Sequence, residues 1–114
     1  MVSIYHNPRC SKSRQTLQLL QSKGIEPEII LYLKHPLDHS TISNLLTKLG
    51  ISARQLVRTS EPEFKDNFRQ IELTEAQYIQ AMVDYPKLIQ RPIVELGARA
   101  VLGRPPENVL DLIS

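Results

Sequence analysis

The sequence predicts an α/β fold on a mixed four-stranded sheet, and three observations carry that expectation. A short β-prone run, Val2 to Tyr5, is followed by a helical stretch and then by the almost continuously apolar Glu28-Ile29-Ile30-Leu31-Tyr32-Leu33. That order is a βαβ unit, whose two strands run parallel through a right-handed crossover. Towards the other end, Ile93-Val94-Glu95-Leu96 and Ala98-Arg99-Ala100-Val101-Leu102 flank Gly97, the pattern of a tight antiparallel hairpin. Between them, residues of about 38 to 90 carry helical rather than alternating periodicity.

Each element has a local reason. Asn7-Pro8 is a turn pair that ends the first run. Ser11 or Ser13 is the expected cap of the helix that follows, with Leu17, Leu19 and Leu20 as apolar positions and Gly24 as its stop. The unbroken run from Glu28 to Leu33 is expected of a strand covered on both faces. Asp38 to Leu49 spaces Ile42, Leu45, Leu46 and Leu49 as a helix does and ends at Gly50. Ser52 with Gln55 forms a capping box for a short helix through Val57. Thr74 with Gln77 forms a second, opening a helix with Tyr78, Ile79, Met82 and Val83 that yields before Pro86. Glu61 to Glu72 is polar and weakly patterned, so a loop with at most one helical turn is expected there. Gly103-Arg104-Pro105-Pro106-Glu107 then sets proline at the first positions of a last helix, whose stripe is Val109, Leu110, Leu112 and Ile113. A βαβ unit joined to a ββα unit is the thioredoxin-like plan. Here it carries a helical insertion at about 38–90, within a single domain spanning 1–114.

Composition narrows the function. The 114 residues are 41% hydrophobic and 23% charged, ordinary usage that excludes a disordered chain. Fourteen Lys plus Arg against twelve Asp plus Glu leave +2, too little to imply a nucleic acid or an anionic membrane as partner. No apolar run approaches the ~20 residues needed to span a bilayer, and the start lacks the basic flank and apolar stretch of a secretory signal. One cysteine excludes an internal disulfide framework and a Cys-based zinc site, and three histidines without clustered carboxylates argue against any metal site. The expectation is a reduced, cytoplasmic protein with no bound cofactor.

The one cysteine lies in His6-Asn7-Pro8-Arg9-Cys10-Ser11-Lys12-Ser13-Arg14, between the first strand and the first helix. Free N–H groups at a helix N-terminus favour an anion, and a thiolate is one. Arg9, Lys12, Arg14 and His6 add positive potential, the surroundings of a reactive rather than an inert thiol. Spacing excludes two chemistries. A phosphatase-type phosphate loop needs an arginine six positions after the cysteine, where Thr16 stands; a Cys-x-x-Cys dithiol needs a cysteine at position 13, where Ser13 stands. Cys10 therefore works as a lone thiol, with its second thiol supplied by another molecule. His6, one turn away, is placed to orient the loop, stabilise a thiolate or serve as acid or base.

The Cys10 segment, Ile29-Ile30-Leu31-Tyr32-Leu33, Arg91-Pro92-Ile93-Val94 and Gly103-Arg104-Pro105-Pro106-Glu107, in this order and spacing, resemble the ArsC family of glutaredoxin-linked arsenate reductases, most closely its short YfgD-type branch. The likeness runs from Ser3 to about Ile113. It implies a thioredoxin-like fold with a helical insertion, Cys10 as nucleophile and His6 as the catalytic histidine near it. It further implies that Arg58, Arg91 and Arg104 bind the oxyanion substrate, and that Pro92 is the site proline, preceded by a cis peptide bond; Ser13 joins the expected substrate-binding set. Each of these arginines falls at an element boundary, and a tetrahedral oxyanion matches a guanidinium fork better than an ammonium. Arsenate is the implied substrate, glutathione the co-substrate and glutaredoxin the partner. The sequence departs from the family in Ser11-Lys12, where small residues are frequent, and in ending at Ser114 without the C-terminal extension of longer members. Two other readings remain open: a monothiol oxidoreductase acting on glutathione mixed disulfides, and an Spx-like RNA polymerase-binding regulator, against whose Cys-x-x-Cys switch Ser13 counts.

Overall fold

A computed structural model describes residues 1–68 and 72–113. In chain order the elements are β1 (Val2–Tyr5), α1 (Ser11–Ser22), β2 (Glu28–Ile30), α2 (His39–Leu49), α3 (Ala53–Leu56), α4 (Pro62–Phe68), α5 (Glu75–Asp84), β3 (Ile93–Leu96), β4 (Arg99–Leu102) and α6 (Val109–Ile113). Short 3-10 turns at Pro86–Leu88 and Pro106–Asn108 lead into β3 and α6. The chain forms two compact units, Met1–His35 with Arg91–Ser114, and Pro36–Gln90.

The first unit holds the sheet, in the order β2-β1-β3-β4. β1 pairs parallel with β2 and antiparallel with β3, and β3 pairs antiparallel with β4. This is the mixed four-stranded, thioredoxin-like α/β plan. Ile4 and Val94 face each other across β1 and β3 and are wholly buried, in one cluster with Leu20 of α1 and Val109 and Leu112 of α6. Both helices therefore cover the same face of the sheet. Burying each such side chain contributes roughly 1.5–3 kcal/mol. The buried Tyr5 hydroxyl donates to Glu95 Oε1 at 3.1 Å, and burial, followed by the Glu95 charge, pushes its phenol well above the usual range.

The register decides where loops emerge. Tyr5 lies opposite both Ile30 and Ile93, and Ile93 lies opposite Leu102. The chain leaving β1 (His6 to Cys10), the chain leaving β2 (from Leu31), the chain entering β3 (Arg91-Pro92) and the chain leaving β4 (Gly103-Arg104) thus share one end of the sheet. The hairpin closes through Gly97-Ala98, with Gly97 at φ 61°, a conformation a side chain disfavours.

Three local expectations are corrected. Neither Ser11 nor Ser13 caps α1: Cys10 is the N-cap residue, because the Ser13 hydroxyl is committed to the preceding loop. β2 ends at Ile30 and is an edge strand, with Glu28 and Ile29 exposed, not a strand covered on both faces. Its apolar run is only partly a burial signal. The stretch from Glu61 holds a two-turn helix, α4, started by Pro62, rather than a loop. Phe64 and Phe68 sit one turn apart on it, 5.7 Å between ring centroids, and pack on Tyr78 at 6.5 Å and Tyr85 at 5.9 Å. The rest of the expected loop, residues 69 to 71, lies outside the described residues.

The second unit is helical. Asp38 caps α2 by accepting from Thr41 N–H at 2.8 Å, and Gly50 closes it at φ 70°. Both expected capping boxes form, Ser52 with Gln55 and Thr74 with Gln77. Ile42, Leu45, Leu56, Ile79, Met82 and Leu88 are among its buried apolar residues. Among the described residues, no helix is long and apolar enough to cross a membrane.

Candidate thiol site

The Cys10 turn is built almost entirely by its own polar groups. His6 N–H donates to Ile30 O at 2.9 Å, extending the β1–β2 ladder by one bond. Asn7 O accepts from Cys10 N–H at 3.0 Å, closing a turn with Pro8 at its second position. Asn7 Oδ1 accepts from Arg9 N–H at 3.0 Å, and Arg14 Nη1 donates back to Pro8 O at 2.9 Å. Cys10 itself has extended backbone angles and is half-buried, and its side chain makes no capping hydrogen bond. The first-turn N–H groups of α1, which have no intrahelical partner, are left for an anion at this end.

His6 and Ser13 lock the turn from beneath. His6 Nδ1 lies 2.6 Å from Ser13 Oγ, which also accepts from Asn7 N–H at 3.0 Å. Ser13 is wholly buried, so its O–H needs an acceptor, and Nδ1 is the one within reach; the imidazole proton then resides on Nε2. Burial, followed by the Arg14 charge, holds the His6 ring below its ordinary 6.5. The unfolded chain therefore binds more protons in the window beneath that value, so stability is full above it, falls as acid protonates the unfolded but not the folded ring, and levels off once the folded ring also takes up its proton. Urea unfolding from about pH 7.5 to about pH 5 is expected to show this decline, with a shallower pH slope in His6→Gln. Equal slopes in both proteins would assign the decline to other groups.

A second pair of loops is stitched together at the same sheet end. The Arg91–Pro92 bond is cis, and a second cis bond, Arg104–Pro105, was not expected from sequence. Gly103 N–H donates to Pro92 O at 2.9 Å and Arg104 Nη1 donates to Arg91 O at 3.3 Å, while the single Thr16 hydroxyl proton of α1 is shared between Lys12 O at 2.8 Å and Gly103 O at 3.2 Å. A Cβ on Gly103 would stand 2.6 Å from Thr16 Oγ1 and 2.9 Å from Pro92 Cγ. Glycine is required there by close approach. Arg104 is exposed, whereas Arg91 is half-buried, and its Nε is buried with no hydrogen-bond partner among the described residues.

The residues singled out from sequence thus fall into groups. His6, Cys10 and Ser13 share one network or turn, and Arg91, Pro92 and Arg104 share another, tied to α1 through Thr16. Arg58 belongs to the second unit, where its N–H donates to Leu88 O at 2.7 Å and its guanidinium pairs with Glu61. Thr16, Gly103 and the brace from Arg14 were missed. The one available signal was a glycine directly before Arg-Pro-Pro, where no reverse turn calls for it. Among the described residues, no three His, Cys, Asp or Glu side chains are grouped to hold a metal ion.

A single thiol at the N-cap of the first helix, with a cis-proline loop bonded to that helix through one glycine, defines a thioredoxin-like protein organised around one cysteine. The chain belongs to the ArsC family, whose model matches residues 5–112. It is 54% identical to the uncharacterized protein YfgD of Escherichia coli (strain K12), over 98% of this chain and 96% of that one. It is 45% identical to an arsenate reductase of Haemophilus influenzae, over 98% of each. Among solved structures it superposes on an arsenate reductase from Vibrio cholerae with a TM-score of 0.94, at 42% identity, covering 98% of this chain and 97% of that one.

Proposed function

We propose that this protein is an arsenate reductase that works as a single domain, residues 38–90 being its helical insertion, in the reducing cytoplasm where glutathione is available. The observation that carries the reading is the strand register: it sends the Cys10 turn, Arg91-Pro92 and Gly103-Arg104 out of one end of the sheet. The buried, unpartnered Arg91 Nε adds to it, since a donor left unsatisfied costs about 1–3 kcal/mol unless a ligand supplies an acceptor.

In this reading the Cys10 sulfur attacks arsenic(V), a sulfur–arsenic bond forms and one oxygen leaves as water. Arg91 and Arg104 hold the remaining oxygens and stabilise the charge that develops. Glutathione's thiol displaces a second oxygen, again as water. A glutaredoxin thiolate then attacks the glutathione sulfur; a mixed disulfide departs, and the electron pair of the broken sulfur–arsenic bond reduces arsenic(V) to arsenic(III). Hydrolysis of the Cys10–arsenic bond releases arsenite and restores the thiol. His6 acts through Ser13, holding the turn that presents the sulfur, and Pro92 shapes the loop that carries Arg91. No resident cofactor takes part.

Coupled turnover tests this, comparing arsenate, phosphate and a glutathione mixed disulfide at equal concentration. Turnover with arsenate alone is expected; turnover with the disulfide in the absence of any oxyanion would replace this reading with the monothiol oxidoreductase. Arg91→Ala and Arg104→Ala are each expected to raise KM for arsenate about tenfold to a hundredfold, the range of one charge-assisted hydrogen bond. Lysine at either position should recover only part of the loss, since it lacks the fork. An unchanged KM in either alanine variant removes that arginine from the site.

A further inference from the structure

Two residues hold the Cys10 backbone on both sides of its Cα. Asn7 O accepts from Cys10 N–H at 3.0 Å, and Cys10 O accepts from Arg14 N–H at 3.0 Å, the first bond of α1. The same two residues reach the preceding peptide with their side chains. Asn7 Oδ1 accepts from Arg9 N–H at 3.0 Å, and Arg14 Nη1 donates to Pro8 O at 2.9 Å. Arg9 N–H and Pro8 O are the two ends of one peptide unit, so that unit is gripped from both sides. It is the middle peptide of the turn from Asn7 to Cys10. The closing bond of such a turn joins its outer residues and leaves the middle unit unbonded, and rotation of that unit is what separates one turn type from another. Each jaw has a firm root. Asn7 N–H is anchored on the wholly buried Ser13 hydroxyl at 3.0 Å, and Arg14 belongs to the twelve-residue α1. The Cys10 side chain makes no capping bond of its own, so the direction of its sulfur follows the backbone that this peptide leads into.

We infer that Asn7 and Arg14 are positioning residues for the Cys10 thiol, clamping the Pro8–Arg9 peptide so that the sulfur is presented in one direction. The inference rests on the arsenate reading for its effect on turnover, whereas the clamp itself is read from the Arg9 amide. Substituting either side chain leaves the backbone bonds to Cys10 in place, so both alanine variants are expected to fold. In Asn7→Ala the solvent exchange of the Arg9 amide, measured by NMR water-saturation transfer on the full chain, is expected to quicken about threefold to tenfold, the range of one hydrogen bond. Arg14→Ala should quicken it too, although Arg14 does not touch that amide. Asn7→Asp, which keeps the accepting oxygen, should return it to near the parent rate. Each alanine variant is expected to lower kcat for arsenate about tenfold, the scale of a sub-ångström misplacement, with KM within about twofold of the parent in Asn7→Ala, which alters no charge. The double variant should lose little more than either single one, rather than the roughly hundredfold of two independent losses. A parent-like kcat in both single variants, or an Arg9 amide unmoved by Arg14→Ala, would overturn the assignment. Losses that multiply in the double variant would overturn it as well, and a fully active Arg14→Lys beside them would assign Arg14 to charge alone. Clamp signatures at the Arg9 amide in a protein that does not turn over arsenate would sink the substrate reading and leave the clamp standing; turnover with that amide indifferent to Arg14 would do the reverse.

Discussion

Replacing Cys10 with serine is expected to reduce arsenate turnover by on the order of a thousandfold or more, to the uncatalysed level, while oxyanion affinity stays within a few-fold of the parent. Serine keeps the size of the side chain but not its nucleophilicity, and no other described residue supplies a thiol, because position 13 holds a serine whose hydroxyl is spent on His6 and Asn7. The substitution carries its own control for folding. Cys10 is an N-cap residue that makes no side-chain cap bond, and serine is a preferred N-cap whose oxygen accepts from the first turn, worth about 0.5–2 kcal/mol over a non-capping residue. The variant should therefore unfold at the same temperature as the parent or slightly higher. Turnover measured beside sulfate or arsenate titration checks both halves, and full activity in the serine protein would discard the proposed chemistry.

Gly103→Ala is expected to be the most damaging single methyl group outside the apolar core. The new Cβ would meet Thr16 Oγ1 at 2.6 Å and Thr16 Cγ2 and Pro92 Cγ at 2.9 Å each, distances that side chains do not tolerate. Thr16 is wholly buried and Pro92 is buried, so relief requires moving α1 or the cis-proline loop. Overpacking of this kind costs about 1–3 kcal/mol, and each kcal/mol lowers Tm by about 4 °C in a chain of this size. Activity is expected to suffer beyond the loss of stability, since the close contact of Thr16 with Gly103 joins α1 to the loop bearing Arg104. Thermal unfolding of Gly103→Ala, Thr16→Ala and the double variant provides the test. Thr16→Ala should recover part of the loss in the double variant, a non-additivity that marks direct contact. A parent-like Tm in Gly103→Ala would show that the close approach is not sustained.

How much was legible in the sequence follows from how local each cause is. The hairpin about Gly97, the glycine stops at Gly24 and Gly50, the Asp38 to Leu49 helix and both capping boxes depend on residues within a few positions of one another, so their spacing carries the information. α4 was missed because its apolar face is only Phe64 and Phe68, i and i+4 in a polar stretch; that pair was the available signal, and its partners Tyr78 and Tyr85 come from further along the chain. The cap of α1 was misassigned because a serine in the first turn has two uses, and which one wins depends on whether a histidine ring stands beneath it. β2 shows the same limit: a run of apolar residues does not say whether a strand has a neighbour on both sides.

By itself the sequence determined the order and type of the elements other than α4, the position of its one thiol between a strand and a helix, and the absence of a second cysteine one turn further on. Tertiary structure alone decided that β2 lies at an edge, that Ser13 serves His6 rather than the helix, and that Gly103 must be small. The physical reason is distance along the chain. Propensity, capping and turn chemistry act within about one turn or one hairpin, whereas close approach, edge position and the pairing of a buried hydroxyl are set by atoms that arrive only when remote segments pack.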